Sequence, residues 1–238
     1  MTNKKSIKNR LHVYPILALC ASIILFFSSC SPQVIITADK NGPTEASFST
    51  SLSPTSEKMI RRFTGTEEGL LFDKEKISLS LALAGLSTNR IEFSSLTALY
   101  LSVVIPKTQT LLSKALQYSR TTNTLTVALS PESVQSAIQV MPSESAELLD
   151  LLMAPILTGE KLTELEYKEI IGSTYGKTLL KELESSVFTL TLRCPSKIKT
   201  TDKPASVSVT ITENTAVFTI PLTQLLVMEK NIWATAEW

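Results

Sequence analysis

The spacing of apolar and polar residues predicts a chain of mixed strands and helices. After an apolar run from Leu11 to Phe27, apolar residues recur at every second position, as in a strand, or three and four positions apart, as on one face of a helix. The first predicted strand is Gln33–Thr37, and Asn41-Gly42-Pro43 predicts a turn into a second strand, Ala46–Leu52. Ser53-Pro54 then supplies an N-cap and a proline for the first turn of a helix.

A junction of strand, proline and helix recurs three times along the chain. Proline fixes φ near the helical value and has no amide proton, so it can end a strand and start a helix without leaving an unpaired donor. The predicted strands and the apolar helix positions after them are Ala98–Ile105 with Leu111, Leu112, Ala115 and Leu116; Leu125–Leu129 with Val134, Ala137 and Ile138; and Val217–Ile220 with Leu222, Leu225 and Leu226. The repetition predicts an α+β fold in which an antiparallel or mixed sheet packs against several amphipathic helices in a single layered domain.

The remaining pattern predicts a helix-rich middle and a β-rich C-terminal part. Asp73–Leu86 predicts a helix and Arg90–Leu96 a strand. Residues 143–184 have helical spacing, and within them Thr163 and Glu166 have the spacing of a capping box. Residues 187–238 predict strands, namely Phe188–Cys194, Val207–Ile211, Ala216–Ile220 and Ile232–Trp238. The alternation in the last strand predicts that Trp238 is packed.

The first thirty residues have the pattern of a secretion signal. A start with four basic and no acidic residues is followed by the apolar run and then by small residues. Phe27-Ser28-Ser29-Cys30 resembles the lipobox of bacterial lipoproteins, with Phe27 where Leu, Val or Ile is usual. The resemblance implies that residues 1–29 are a lipoprotein signal peptide and that Cys30 becomes the acylated amino terminus of a domain spanning 30–238.

Two other interpretations of the same segment stay open. One is ordinary signal cleavage. The other is an uncleaved anchor, since the run of 17 residues from Leu11 to Phe27 is near the lower limit of about 17–25 for a spanning helix. Pro15 and Ser22 weaken the anchor, and Cys20 fits a lipobox less well than Cys30 because it follows Leu19. We therefore expect a protein of the cell envelope, attached to a bacterial membrane through lipid on Cys30, and Ser31 favours the outer membrane over the inner one.

Removal of the signal changes the charge of the protein. The 23 basic residues fall to 19, because four lie in the signal, whereas all 22 acidic residues remain, so the formal net charge changes from +1 to −3. Binding of nucleic acid needs clustered cations, and the densest group, Lys197 to Lys199 with Lys203, is typical of a solvated turn. We expect no nucleic-acid partner.

The mature sequence offers little catalytic chemistry. His12 is the one histidine and lies in the signal, which excludes histidine-based triads, Cys–His nucleophiles and imidazole zinc sites from the mature protein. With Cys30 acylated, Cys194 is the remaining thiol, and its place on the apolar side of a strand predicts a small buried hydrophobe. We expect no enzyme, no cofactor and no metal site.

Four weak motifs have structural interpretations. Gly172 to Gly176 has the outline of a nucleophile elbow, but it lies between helical stretches and predicts a helix break. Ser196 and Lys199 have a spacing seen in some hydrolases, without the companion motifs. Glu67-Glu68 predicts a solvated turn, and the cluster of Glu164, Glu166 and Glu169 predicts a polar helix face, although paired acids for glycoside cleavage stay open.

Several segments together resemble the LppM-like domain of bacterial envelope lipoproteins. They are the cysteine followed directly by Val34 to Thr37, the next strand with the helix at Ser53-Pro54, and Phe188 to Leu192 leading into Pro195 to Ile198. The resemblance implies an α+β module that binds lipid-like molecules; the C-terminal membrane helix common in that family is missing from this sequence. We therefore expect a non-enzymatic lipoprotein that binds a lipid or another apolar ligand, in a cavity between sheet and helices. The alternative is a structural lipoprotein that docks a partner protein at the membrane.

Overall fold

The strands of the protein form two sheets. The computed structural model describes residues 31–65, 67–106, 115–133, 159 and 162–238. The α+β class predicted from the sequence is confirmed, with helices and two multistranded sheets in one chain. The predictions for Cys30, for the helices at 111–112 and 134–138, and for the beginning of the 143–184 region fall outside the described residues.

The larger sheet has seven strands. Its first strand lies in the centre of the sheet and is parallel to one neighbour, whereas every other neighbouring pair is antiparallel. In spatial order the strands are β3 (Ser87–Ser95), β4 (Ala98–Val104), β2 (Gly42–Ser51), β1 (Gln33–Asp39), β7 (Val187–Arg193), β10 (Thr215–Pro221) and β9 (Ser208–Thr212).

The smaller sheet has four antiparallel strands. In spatial order they are β5 (Leu116–Ser119), β6 (Thr124–Leu129), β11 (Ile232–Glu237) and β8 (Thr200–Asp202). The prediction that Leu116 is helical was wrong, because Leu116 begins β5 and pairs with Val127. The predicted helical spacing was continued too far along the chain. Leu116 and Tyr118 are partly buried and alternate with exposed residues, which is the pattern of a strand.

Five helices have described bounds: α1 (Pro54–Thr64), α2 (Lys74–Leu83), α3 (Glu164–Thr174), α4 (Lys177–Ser185) and α5 (Leu222–Val227). Ser53 caps α1 through its side chain, and Thr163 and Glu166 form the capping box of α3 as predicted. The prolines at the starts of α1 and α5 stand where strands β2 and β10 lead into helices. These local signals explain why the helix starts were predictable.

The main core lies where the alternating apolar faces of both sheets pack together. Phe218 and Leu192 from the larger sheet and Ala236 from the smaller one have no solvent exposure. Burial of a side chain the size of Phe or Leu contributes about 1.5–3 kcal/mol. Trp238 is buried against this core and stacks on Tyr118, with ring centroids 5.8 Å apart, which confirms that the last residue is packed.

A second apolar cluster joins α3, α4 and α5. Its buried members are Tyr167, Ile171, Leu179, Leu183, Leu222, Leu226, Val227 and Met228. Their spacing of three and four residues along each helix is the pattern that predicted helices in this region. The candidate site described below lies next to this cluster, and Val227 belongs to both.

Candidate functional site

A cleft of about 260 Å³ lies where four segments of the chain meet. They are the start of α3, the end of α5 with the residues after it, the start of β11 and the loop between β8 and β9. The lining residues are Glu164, Pro204, Ser206, Gln224, Val227, Glu229, Lys230, Asn231, Ile232 and Trp233.

The α3 side of the cleft is held by an ionic and hydrogen-bonded network. Because Thr163 caps α3, Glu164 occupies its first turn. The Glu164 Oε1 atom lies 2.8 Å from Lys168 Nζ and accepts a hydrogen bond of 2.7 Å from the Thr223 hydroxyl. The bond from Lys168 is the main cause that lowers the pKa of Glu164, and Glu164 in turn raises the pKa of Lys168. Both groups are therefore charged near neutral pH, and together with Thr223 they tie α3 to α5.

A turn in a left-handed conformation carries the chain from α5 into the cleft. Met228 ends α5 with φ +44° and is buried, and its amide donates to the Gln224 carbonyl. A residue other than glycine adopts this conformation at some cost and persists there because packing holds it. The turn directs Glu229, Lys230 and Asn231 away from the helix axis, so that they line the rim.

Trp233 supplies the largest apolar surface of the cleft. It is 37% exposed, and its indole Nε1 donates a hydrogen bond of 2.8 Å to Asp202 Oδ2 on the neighbouring β8. The bond satisfies the polar end of the ring, and its apolar part lines the cleft together with Pro204. The ring is thus fixed in orientation and available to a ligand.

The composition of the cleft suits a small amphiphilic group. Trp233 and Pro204 provide most of the apolar surface, because Val227 and Ile232 are each 5% exposed. Lys230, Glu229 and Asn231 provide charges and hydrogen bonds at the rim. Ligand sites usually measure about 300–1,000 Å³, so this cleft has room for part of a ligand, such as a headgroup or a short length of chain.

The structure places the predicted thiol in the core. Cys194 directly follows β7, is 3% exposed and forms no disulfide. Burial raises the pKa of its thiol to about 11. The prediction of a small buried hydrophobe is confirmed, and the low thiolate fraction at neutral pH argues against a nucleophile.

The three carboxylates of the α3 cluster have separate surroundings. Glu166 accepts from the Thr163 amide at 2.8 Å and completes the capping box, which lowers its pKa, whereas Glu164 faces Lys168 and Thr223. Glu169 is exposed and borders a shallow depression with Glu166, away from the cleft. Only Glu164 of the three lines the cleft beside Trp233.

The two weak nucleophile motifs have structural roles. The segment Gly172 to Gly176 contains the end of α3 and the N-cap residue of α4, Gly176, which has φ +94°. This confirms the predicted helix break. The Ser173 hydroxyl donates to the Ile170 carbonyl within α3. Lys199 donates to the backbone oxygen of Trp238 at 3.0 Å and thereby binds the C-terminal residue.

Sequence reasoning did not find the cleft, because its residues come from segments far apart in the chain. One local signal was present. In β11 the alternation of buried Ile232, Ala234 and Ala236 leaves Trp233 on the outward side, and a tryptophan on the exposed face of a strand is an unusual use of a large apolar ring.

Among the described residues, no cluster of histidine, cysteine, aspartate and glutamate is arranged to hold a metal ion. In the same part of the chain, every helix is too short or too polar to cross a membrane. Comparison of the sequence and the structure with protein-family models, with curated proteins and with solved structures finds no match.

Proposed function

We propose that this chain is a non-enzymatic lipoprotein of a bacterial cell envelope, anchored through lipid on Cys30, and that it binds a lipid or another apolar ligand in the cleft beside Trp233. The observation that carries the ligand proposal is a fixed indole ring next to apolar residues, with charged and amide groups at the rim. That combination of surfaces complements a molecule with an apolar part and a polar head.

The position of the first strand supports the anchor. The Thr189 amide donates a hydrogen bond of 3.0 Å to the Pro32 carbonyl, so the fold begins two residues after Cys30. Two acyl chains suffice for stable attachment to a bilayer, because each buried methylene contributes about 0.8 kcal/mol. Such an anchor would hold the domain directly at the membrane surface, where lipids are the most abundant ligands.

The chemistry of the mature chain supports a binding role over catalysis. No histidine follows His12 in the sequence, and the Cys194 thiol is buried with a raised pKa. In the cleft, the carboxylate of Glu164 is committed to Lys168 and Thr223. These two bonds hold Glu164 in a structural contact between α3 and α5, which argues against its use as a general base.

Mass spectrometry of the full chain, expressed in a bacterium and released with mild detergent, tests both parts. The intact mass should show a chain that begins at Cys30 and carries acyl groups, and native spectra should show a bound lipid. The variant Ser206→Trp should lose most of the bound lipid, because the indole would fill the cleft that Ser206 lines.

Two matched variants serve as controls. Ser208→Trp changes another exposed serine, which does not line the cleft, and should retain the lipid. Cys30→Ala should abolish acylation, whereas Cys20→Ala should not. A wild-type protein without bound lipid would refute the ligand proposal, and unmodified Cys30 would refute the anchor.

The outer surface of α2 favours a second candidate function, the docking of a partner protein. None of the residues of α2 is buried, and Leu79 and Leu83, one turn apart, are 63% and 78% exposed. Leucines four residues apart lie on the same face of a helix, and a contiguous exposed apolar surface is a feature of protein interaction sites. Photo-crosslinking from position 83 in cells should then recover one dominant protein, with position 76 on the same helix as the control; the absence of an adduct would exclude this candidate.

A further inference from the structure

One end of the larger sheet carries both the beginning of the fold and an exposed apolar turn. Gln33 pairs with Ser49, which pairs with Tyr100, so these three residues form one row across β1, β2 and β4. Adjacent strands lie about 4.8 Å apart, which places β4 about 10 Å to the side of β1. β1 and β4 run in the same direction, because each is antiparallel to β2.

The β3–β4 turn extends past this row in the direction that leads to Cys30. Ala98, the first residue of β4, lies two residues before Tyr100, or about 7 Å at the usual rise of a strand, and the Leu96–Thr97 turn that joins Ser95 to Ala98 extends beyond it. Cys30 lies three residues before Gln33, so an extended chain spans about 10 Å to it. Measured along the strands from the row of Gln33, Ser49 and Tyr100, the turn therefore extends about as far as Cys30 can reach.

The turn presents leucines at this level and is held in place. Leu96 is 53% exposed, and Leu70 beside it is 49% exposed. The Leu71 amide donates to the Leu96 carbonyl at 3.2 Å, and the Leu52 amide donates to the Thr97 carbonyl at 3.1 Å. These bonds fix the leucines without covering them.

We propose that the β3–β4 turn, through Leu96 and Leu70, inserts into the surface of the bilayer that holds the anchor. This inference rests on the proposed acylation of Cys30, which brings the bilayer to within about 10 Å of the row at Gln33. We take lipid as the partner of Leu96 and Leu70, because exposed leucines at the level of the acylated cysteine would meet the boundary between headgroups and acyl chains.

Fluorescence of the acylated full chain in phosphatidylcholine vesicles tests the proposal. In Leu96→Cys, the new thiol is labelled with an environment-sensitive dye, while the buried Cys194 stays unlabelled. The emission should shift to the blue and rise several-fold, and lipids brominated near the headgroup should quench it.

Two variants are matched controls. Val104→Cys places the dye at the far end of β4, at a similarly exposed residue, 45% against 53%, about 20 Å along the strand from its first residue, Ala98. Leu83→Cys places it at the end of α2 that leads into β3. At both positions the dye should keep the emission of a dye in water.

The outcomes separate this inference from the proposed function. If the protein is acylated but the dye at position 96 has the emission of a dye in water, the inference is wrong and the proposed function is unaffected. The same holds if the dye at position 83 inserts and the dye at position 96 does not. Unmodified Cys30 in the intact mass overturns the proposed anchor and the inference with it.

Discussion

Because the Cys194 thiol is buried, the stability of the fold should decrease at alkaline pH. The folded state raises the pKa of this group to about 11, whereas a thiol in an unfolded chain titrates near pH 8.5. The raised pKa means that the folded state binds the proton more tightly. The stabilising contribution is therefore complete below the unfolded pKa and is lost as the pH rises to about 11, by about 2–3 kcal/mol.

Thermal unfolding of the full chain and of Cys194→Ala between pH 7 and pH 11 measures this effect. At neutral pH we expect the variant to be less stable by about 1 kcal/mol, because a buried group is lost. Above pH 9 the wild type should lose its advantage and unfold at the lower temperature. Melting temperatures that stay parallel over the whole range would show that the thiol does not titrate with unfolding.

At the scale of single elements, Ser53 connects two helices. Its Oγ accepts from the Ser56 amide at 3.1 Å as the N-cap of α1, and its hydroxyl donates to Glu182 of α4. Ser53→Ala should destabilise the protein by about 2 kcal/mol, since loss of a cap costs about 1 kcal/mol and the carboxylate loses a buried donor as well. Denaturant unfolding measures the difference.

Thr163→Ala is the matched control for this prediction. Thr163 caps α3 in the same manner but is exposed and bonds within its own helix. Its loss should cost about 1 kcal/mol. In addition, Glu182→Gln should lower the cost of Ser53→Ala, because the two residues are coupled. Equal costs for both caps, with no coupling to Glu182, would contradict the connecting role.

Elements with a local signal were predictable from the sequence. The cap at Ser53, the capping box at Thr163 and the alternation in β11 each depend on residues within one turn or one strand. β8 was not predicted, since three residues are too few to show a period. It forms because the edge of β11 offers unpaired backbone groups to Thr200–Asp202.

At the scale of the whole molecule, the division into two sheets had no sequence signal. A strand with one buried face has the same alternation whether its partner is a helix or another sheet. Thus Phe218 and Ala234 were predictable as core residues but not as members of opposing sheets. The cleft beside Trp233 depends on that arrangement, because the β8–β9 loop reaches it only after β8 has joined the smaller sheet.

Tyr118 connects the two sheets, and Gly42 makes room for its ring. The Tyr118 ring stacks on Trp238 within the smaller sheet's core, and its hydroxyl donates to the Lys40 carbonyl in the β1–β2 turn at 3.2 Å. A Cβ atom on Gly42 would lie 2.8 Å from Tyr118 Cδ1, closer than such atoms approach. Gly42 also has φ +119°, a conformation that side chains other than glycine's rarely adopt.

Gly42→Ala should therefore destabilise the whole fold by about 3 kcal/mol, through backbone strain and displacement of the tyrosine. Gly65→Ala is the control, since Gly65 also has a positive φ but no atom would lie within 4 Å of its Cβ, and its cost should stay near 1 kcal/mol. Gly42→Ala combined with Tyr118→Ala should cost less than the sum of the two changes, because the ring is no longer there to be displaced. Additive costs in denaturant unfolding would show that Gly42 acts through its backbone alone, and that the contact between the sheets does not depend on this close approach.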